Sequence, residues 1–188
     1  MTFESRWMNL AVHYICALCS HHPQTLDAQK LHRILWLADG RSYASLGKAI
    51  VGEEYTRGSH GPTAVHLDAA LRHLEQEGHL SVRAFGGRQE YLATRVPDVS
   101  SLSADERRIL DQIIREVTED ESRVADSVKP GSWVSHAYEK SFERSFEHTW
   151  EVAELGEAIP YAQCALLKFL PLTPEDENWI GSELKNLK

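Results

Sequence analysis

The stretch Ser59–Leu80, SHGPTAVHLDAALRHLEQEGHL, decides how the rest of the chain is read. Gly61-Pro62 predicts a sharp turn and then a helix start, because proline at a first helical position gives up an amide that has no intrahelical partner. Leu67, Leu71 and Leu74 recur at helical spacing with Ala64 and Ala70 beside them, while Asp68, Arg72, Glu75 and Gln76 fall on the opposite side. Gly78 is the expected stop. Beyond it, Leu80, Val82 and Ala84 alternate with Ser81 and Arg83, and Tyr91 to Thr94 forms a second short run after Gly86-Gly87, the pattern of a β-hairpin. A helix delivered straight into a glycine-turned hairpin is the order of elements in a winged helix.

Upstream, Trp7, Leu10, Ala11, Tyr14, Ile15 and Leu18 predict a largely buried helix from Phe3 to Leu18, ended by His21, His22 and Pro23. A second helix is expected from about Asp27, its N-cap, to Leu46, with Leu31, Ile34, Leu35 and Ala38 facing inward and Gly47 as the stop. The glycine-bounded segment Lys48–Gly58 reads as a strand or extended arm. Downstream, Val96–Ser101 is a connector of turn formers. Ser103-Ala104-Asp105-Glu106 then has capping-box spacing ahead of Ile109, Leu110, Ile113, Ile114 and Val117 on one helix face. Further helices are expected over Ser122–Val128, over the aromatic segment Ser132–Trp150, and from Thr173 onward. The fold class is therefore mainly α: one compact domain over residues 1–188 with a small winged-helix-like hairpin. It subdivides into helices plus hairpin over 1–99 and an acidic helical half over 100–188.

The charge supports that subdivision. Net charge is −8, yet residues 1–99 carry 10 basic and 10 acidic side chains, whereas residues 100–188 carry 10 and 18. No run is long and apolar enough to span a membrane, and the N-terminus has neither a signal nor a transit pattern. Three cysteines are too few for a disulfide framework, so a reducing, cytoplasmic setting is expected. Cys16-x-x-Cys19-x-x-His22, with His13 upstream, has metal-type residues, but steps of three drift by about 60° around a helix and keep four ligands from converging. No metal and no cofactor are expected. Nucleophile-elbow, zincin, phosphate-loop and dinucleotide fingerprints are all missing, so no catalytic residue is assigned.

Lys30–Ile50, KLHRILWLADGRSYASLGKAI, followed by Ser59–Pro62, SHGP, and then Trp150–Tyr161, WEVAELGEAIPY, together resemble the Panacea domain family of SocA-like antitoxins, which includes phage-associated proteins. The resemblance implies a mostly helical protein encoded beside a toxin and neutralising it by direct contact. Some members act as adaptors that hand the toxin to a AAA+ protease, and no active site is implied. Candidate partner-binding residues are Tyr55, Arg57, His60, Tyr138, Phe142, Glu143, Phe146, Glu147, Trp150 and Glu151. Glu139 and Glu154 extend the same acidic face, which would speed encounter with a basic toxin surface. The alternative is a winged-helix regulator that binds operator DNA through Arg72, Arg83, Arg88 and Arg95. Against it, the helix after Pro62 sets Asp68, Glu75 and Glu77 against Arg72, whereas a helix approaching phosphates should be basic.

Overall fold

The computed structural model describes residues 3–21, 26–118 and 154–159. The expectations for Ser122–Val128, Ser132–Trp150 and the helix from Thr173 lie outside them. Within the described residues helices dominate: α1 (Phe3–Cys19), α2 (Ala28–Leu46), α3 (Leu67–Gln76) and α4 (Ala104–Thr118). Two antiparallel hairpins complete the set, β1 (Tyr55–Gly58) with β2 (Gly61–Ala64), and β3 (Leu80–Phe85) with β4 (Arg88–Ala93).

α2 is the central element. The Asp27 side chain caps it by accepting from the Lys30 amide at 2.8 Å, and Gly47, in the left-handed region at φ 72°, closes it with its own amide on the Tyr43 carbonyl. Burial goes further than an amphipathic stripe. Leu31 is buried, and so is every residue from Ile34 to Gly40, because α1, α4 and β2 all pack around this helix.

α1 lies on α3 and β4 with Met8, Ala11, Val12, Ile15, Cys16 and Cys19 turned inward. Leu18, expected in this stripe, is 46% exposed, and Cys19 takes the inward position in the last turn. α3 ends in a Schellman arrangement: the His79 amide donates to the Leu74 carbonyl at 2.8 Å and the Gly78 amide to the Glu75 carbonyl at 3.0 Å. The chain then enters β3 directly. Gly86 and Gly87 both take positive φ, which the two-residue turn into β4 requires. Leu80 and Tyr91 bury the inner face of this hairpin, while Arg83 to Gln89 stand out from the body.

The expected helix start at Pro62 is corrected by the structure. Ser59 and His60 form a two-residue turn, and Gly61–Ala64 pairs with β1 as a strand, Gly58 opposite Gly61 and Arg57 opposite Pro62. Adjacent pairs in an antiparallel ladder alternate between exchanging and not exchanging hydrogen bonds. A two-residue turn makes Gly58–Gly61 an exchanging pair, so Pro62 falls at a position whose amide would point away from β1. The missing proline N–H therefore costs the ladder nothing. The helix begins five residues later, at Leu67.

α4 is tied down by the capping box that its sequence announces. The Ser103 amide donates to Glu106 Oε2 at 2.7 Å, and the Glu106 amide to Ser103 Oγ at 3.2 Å. Glu106 also receives Lys48 Nζ at 2.6 Å, and Arg41 grips Glu116 with two nitrogens at 3.2 and 2.9 Å. Ile109, Leu110, Ile113 and Ile114 complete the core against α2. Replacing the fully buried Leu35 by Ala should cost about 2 to 5 kcal/mol, the range for truncating a core leucine without collapse of the site. An unchanged urea midpoint for Leu35→Ala would remove α2 from the centre of the fold.

Candidate functional site

β1 lies between two of the stretches that carry the family resemblance, with Gly61-Pro62 on one edge and residues 156–159 on the other. The Arg57 amide donates to the Glu157 carbonyl at 2.8 Å, the Gly156 amide to the Arg57 carbonyl at 2.8 Å, and the Ile159 amide to the Tyr55 carbonyl at 2.7 Å. Residues separated by a hundred positions thus pair across the edge of β1 that β2 leaves open, with Thr56 facing Ala158. Glu154 to Glu157 forms a turn, with left-handed Gly156 at its third position and the Glu157 amide donating to the Glu154 carbonyl at 2.9 Å. Ile159 is buried at the end of this segment, and Leu155 is exposed on the turn.

The approach to β1 is fixed by Asp39. This α2 carboxylate is completely buried and accepts the amides of Val51, Gly52 and Glu53 at 2.7, 3.1 and 3.3 Å, and the Tyr55 hydroxyl at 3.0 Å. Burial pushes its pKa up, and the donated hydrogen bonds pull it back. Ser42 supports the same segment by donating to the Lys48 carbonyl at 2.7 Å. Tyr55 also meets Trp36 edge-on, with ring centroids 5.0 Å apart.

β2 is closed along its outer edge. Pro62 has no amide to offer, and the Ala64 amide donates to His32 Nδ1 at 3.0 Å. The acceptor role requires neutral His32 with its proton on Nε2. Burial lowers the His32 pKa below the usual 6.5, with a smaller opposing effect from Asp68. Next to it, His66 Nδ1 lies 2.8 Å from Glu53 Oε1, so a buried carboxylate meets an exposed imidazole at the start of α3.

Between α2 and the β1–β2 turn lies a groove of about 230 Å³. Trp36, Leu37, Gly61 and Pro62 give it a buried, largely apolar floor, and exposed Gln29, Arg33 and His60 form its rim. Gln29 Nε2 donates to the His60 carbonyl at 2.9 Å, and Ser59 Oγ lies 2.8 Å from His60 Nδ1, which together fix the turn. An apolar floor with the Arg33 guanidinium and hydrogen-bonding side chains at the rim suits an apolar side chain beside an acidic one.

The residues expected to bind a partner are distributed unevenly around this site. His60 is on the rim and Arg57 is half-buried on β1, but Tyr55 is only 2% exposed with its hydroxyl on Asp39, which makes it part of the core instead of a contact. Tyr138, Phe142, Glu143, Phe146, Glu147, Trp150 and Glu151 lie outside the described residues. Arg72 is exposed on α3, and Arg83, Arg88 and Arg95 are exposed on or after the second hairpin. Cys16 and Cys19 are buried thiols whose pKa values are raised by desolvation, that of Cys19 to about 11. His13 donates from Nε2 to the Arg95 carbonyl at 2.9 Å, and among the described residues no three His, Cys, Asp or Glu side chains converge as a metal site. No helix among them is long and apolar enough to cross a membrane.

What these elements define is a small helical domain with a built groove beside a three-segment ribbon. Residues 31–123 match the family model Antitoxin SocA-like, Panacea domain, which supports the resemblance carried by Lys30–Ile50 and Ser59–Pro62. The match runs from α2 through α4, while the Trp150–Tyr161 stretch lies beyond it. No curated protein and no solved structure matches the chain.

Buried His13 and half-buried His32 should make stability pH-dependent. His13, like His32, has a pKa lowered first by burial, with its bond to the Arg95 carbonyl opposing and His79 adding to the effect. A depressed folded-state pKa means that the unfolded chain takes up protons first as pH falls through about 6.5. Stability should therefore be complete at pH 7.5 and decline toward pH 5. His32→Asn offers an amide oxygen where Nδ1 stands and cannot be charged, so urea midpoints at the two pH values should lie closer together than in the wild type. A drop as steep as the wild type's would show that His32 is not one of the responsible groups.

Proposed function

We propose that this protein is an antitoxin that neutralises a cognate toxin by direct protein–protein contact through the groove between α2 and the β1–β2 turn. One observation carries the reading. Every lining residue except Gln29 belongs to Lys30–Ile50 or Ser59–Pro62, stretches that resemble the family, and each of these lining residues falls within the matched residues 31–123. Their side chains therefore do more than build a helix; they shape a concave surface.

The toxin element that fits is an apolar side chain, seated on Trp36, Leu37 and Pro62, next to an acidic residue that meets Arg33 and His60. The role is one of binding, with no catalytic step, in the cytoplasm. Delivery of the bound toxin to a AAA+ protease is compatible with a surface confined to one side of α2, since the other described faces stay accessible.

The test is co-expression with a neighbouring open reading frame whose product is toxic alone. Wild-type protein should restore growth and bind the toxin in a pull-down. Arg33→Glu combined with His60→Ala replaces two rim side chains, losing the Ser59–His60 contact as well, and should weaken toxin binding at least tenfold, about 1.4 kcal/mol, in a variant whose circular dichroism and cooperative unfolding show that it is still folded. Full neutralisation by a stably folded double variant would place the contact elsewhere.

A further inference from the structure

The second hairpin has a tip that neither the core nor the groove uses. From Arg83 to Gln89 every residue is exposed, and this stretch holds two arginines, no acid and a phenylalanine that is 73% exposed. The ladder register sorts these side chains. Arg83 opposes Glu90 and Phe85 opposes Arg88, so Arg83, Phe85, Arg88 and Glu90 share the face opposite to the one that Val82 and Tyr91 turn toward the body. Gly86 and Gly87 make the apex narrow. Neither Arg83 nor Arg88 makes an ion pair among the described residues, although Glu90 stands across from Arg83.

We propose that the β3–β4 tip is a DNA-contacting finger that enters the major groove of a duplex, with Arg88 and Arg83 on phosphates or guanine edges and Phe85 on thymine methyl groups. The size is decisive for the groove. A two-stranded ribbon fits the major groove, about 12 Å wide, and not the minor groove, about 6 Å wide. Charge decides whether the body permits it. Glu75 and Glu77 sit at the end of α3, near the base of the hairpin, where Glu75 accepts the Val82 amide at 3.4 Å. Five residues of strand place the tip roughly 16 Å farther out, about twice the Debye length at physiological salt. The acids at the base are thus largely screened from phosphates at the tip, and Glu90 beside Arg83 still leaves the outer ribbon face with a net positive charge of one (Arg83 and Arg88 against Glu90), whereas α3, carrying Asp68 and Glu75, is kept off the duplex. The same reasoning makes the contact local, salt-sensitive and weakly sequence-dependent.

Binding of the full-length protein to a short mixed-sequence DNA duplex, followed by fluorescence anisotropy between about 50 and 200 mM salt, tests the assignment. The wild type should bind, with affinity falling as salt rises. Arg83→Ala with Arg88→Ala should reduce the slope of log affinity against log salt by about 1 to 2, the loss of one or two phosphate contacts. Phe85→Ala should weaken binding several-fold with the slope unchanged, and uracil in place of thymine should weaken the wild type but not Phe85→Ala. All three positions are exposed, so thermal midpoints and toxin neutralisation should be unaffected. Failure of the wild type to bind duplex at low salt, binding restricted to single strands, or an unchanged slope in the double-arginine variant would each overturn the proposal. Loss of neutralisation in the tip variants would also overturn it and identify the finger as a protein contact, a result separable from the groove variant's.

Discussion

A carboxylate removed from water must be given donors, and the donors Asp39 finds are the backbone that returns from the end of α2. An unpaired buried carboxylate is far too costly to keep, so the amides of Val51 to Glu53 and the Tyr55 hydroxyl are held to it. The chain after Gly47 consequently cannot wander. It is drawn across the middle of α2 and enters β1 at Tyr55 with its direction and register already set. The stabilisation exists only because α2 is packed on every side there, since in contact with water the same bonds would exchange with solvent at little net gain.

From that anchoring the rest of the ribbon follows. β1 offers one edge to β2 and the other to residues 154–159, and the outer edge of β2 is capped by Pro62, which has no amide, and by His32, which accepts the one from Ala64. A short, protected ribbon against a buried helix leaves a groove instead of an open strand edge, so what it presents is side chains and not a strand to be extended. α4 closes the opposite side of α2 with Arg41–Glu116 and the Lys48–Glu106 contact, in which a capping residue also serves as a partner for the loop after α2. The Tyr14 hydroxyl, donating to Asp111 at 2.7 Å, joins α1 to the same helix.

Periodicity and capping made most of the local structure legible. Asp27, Gly47, Gly78, Gly86-Gly87 and the Ser103–Glu106 box all act through their own neighbours, which is why reading them in isolation succeeds. Pro62 failed because glycine-proline is equally compatible with a helix start and with a strand position whose amide is not needed, and only the register with Arg57 separates the two. A tyrosine in a polar segment gives no sign of a buried acceptor sixteen residues back, so sequence alone places Tyr55 at a contact. The signal for that acceptor was present all the same: Asp39 falls four residues after Leu35, on the inward stripe, where an acid demands an explanation. The groove was less accessible to sequence reasoning, since Arg33, Trp36 and Leu37 meet His60 and Pro62 only after the ribbon has folded back on α2.

Native-state hydrogen exchange on Asp39→Asn tests this account most directly, because asparagine keeps the shape but turns a donor toward the amides that the carboxylate accepts. Losing a hydrogen bond to a buried charged group costs about 1 to 3 kcal/mol, which corresponds to exchange faster by about ten- to a hundredfold. If Asp39 sets β1, the amides of Arg57, Gly156 and Ile159 should lose protection together with those of Val51 to Glu53, while amides in the middle of α1 keep theirs. Wild-type protection at Arg57 and Ile159 in the folded variant would mean that the ribbon holds its place without the carboxylate, and would contradict the account.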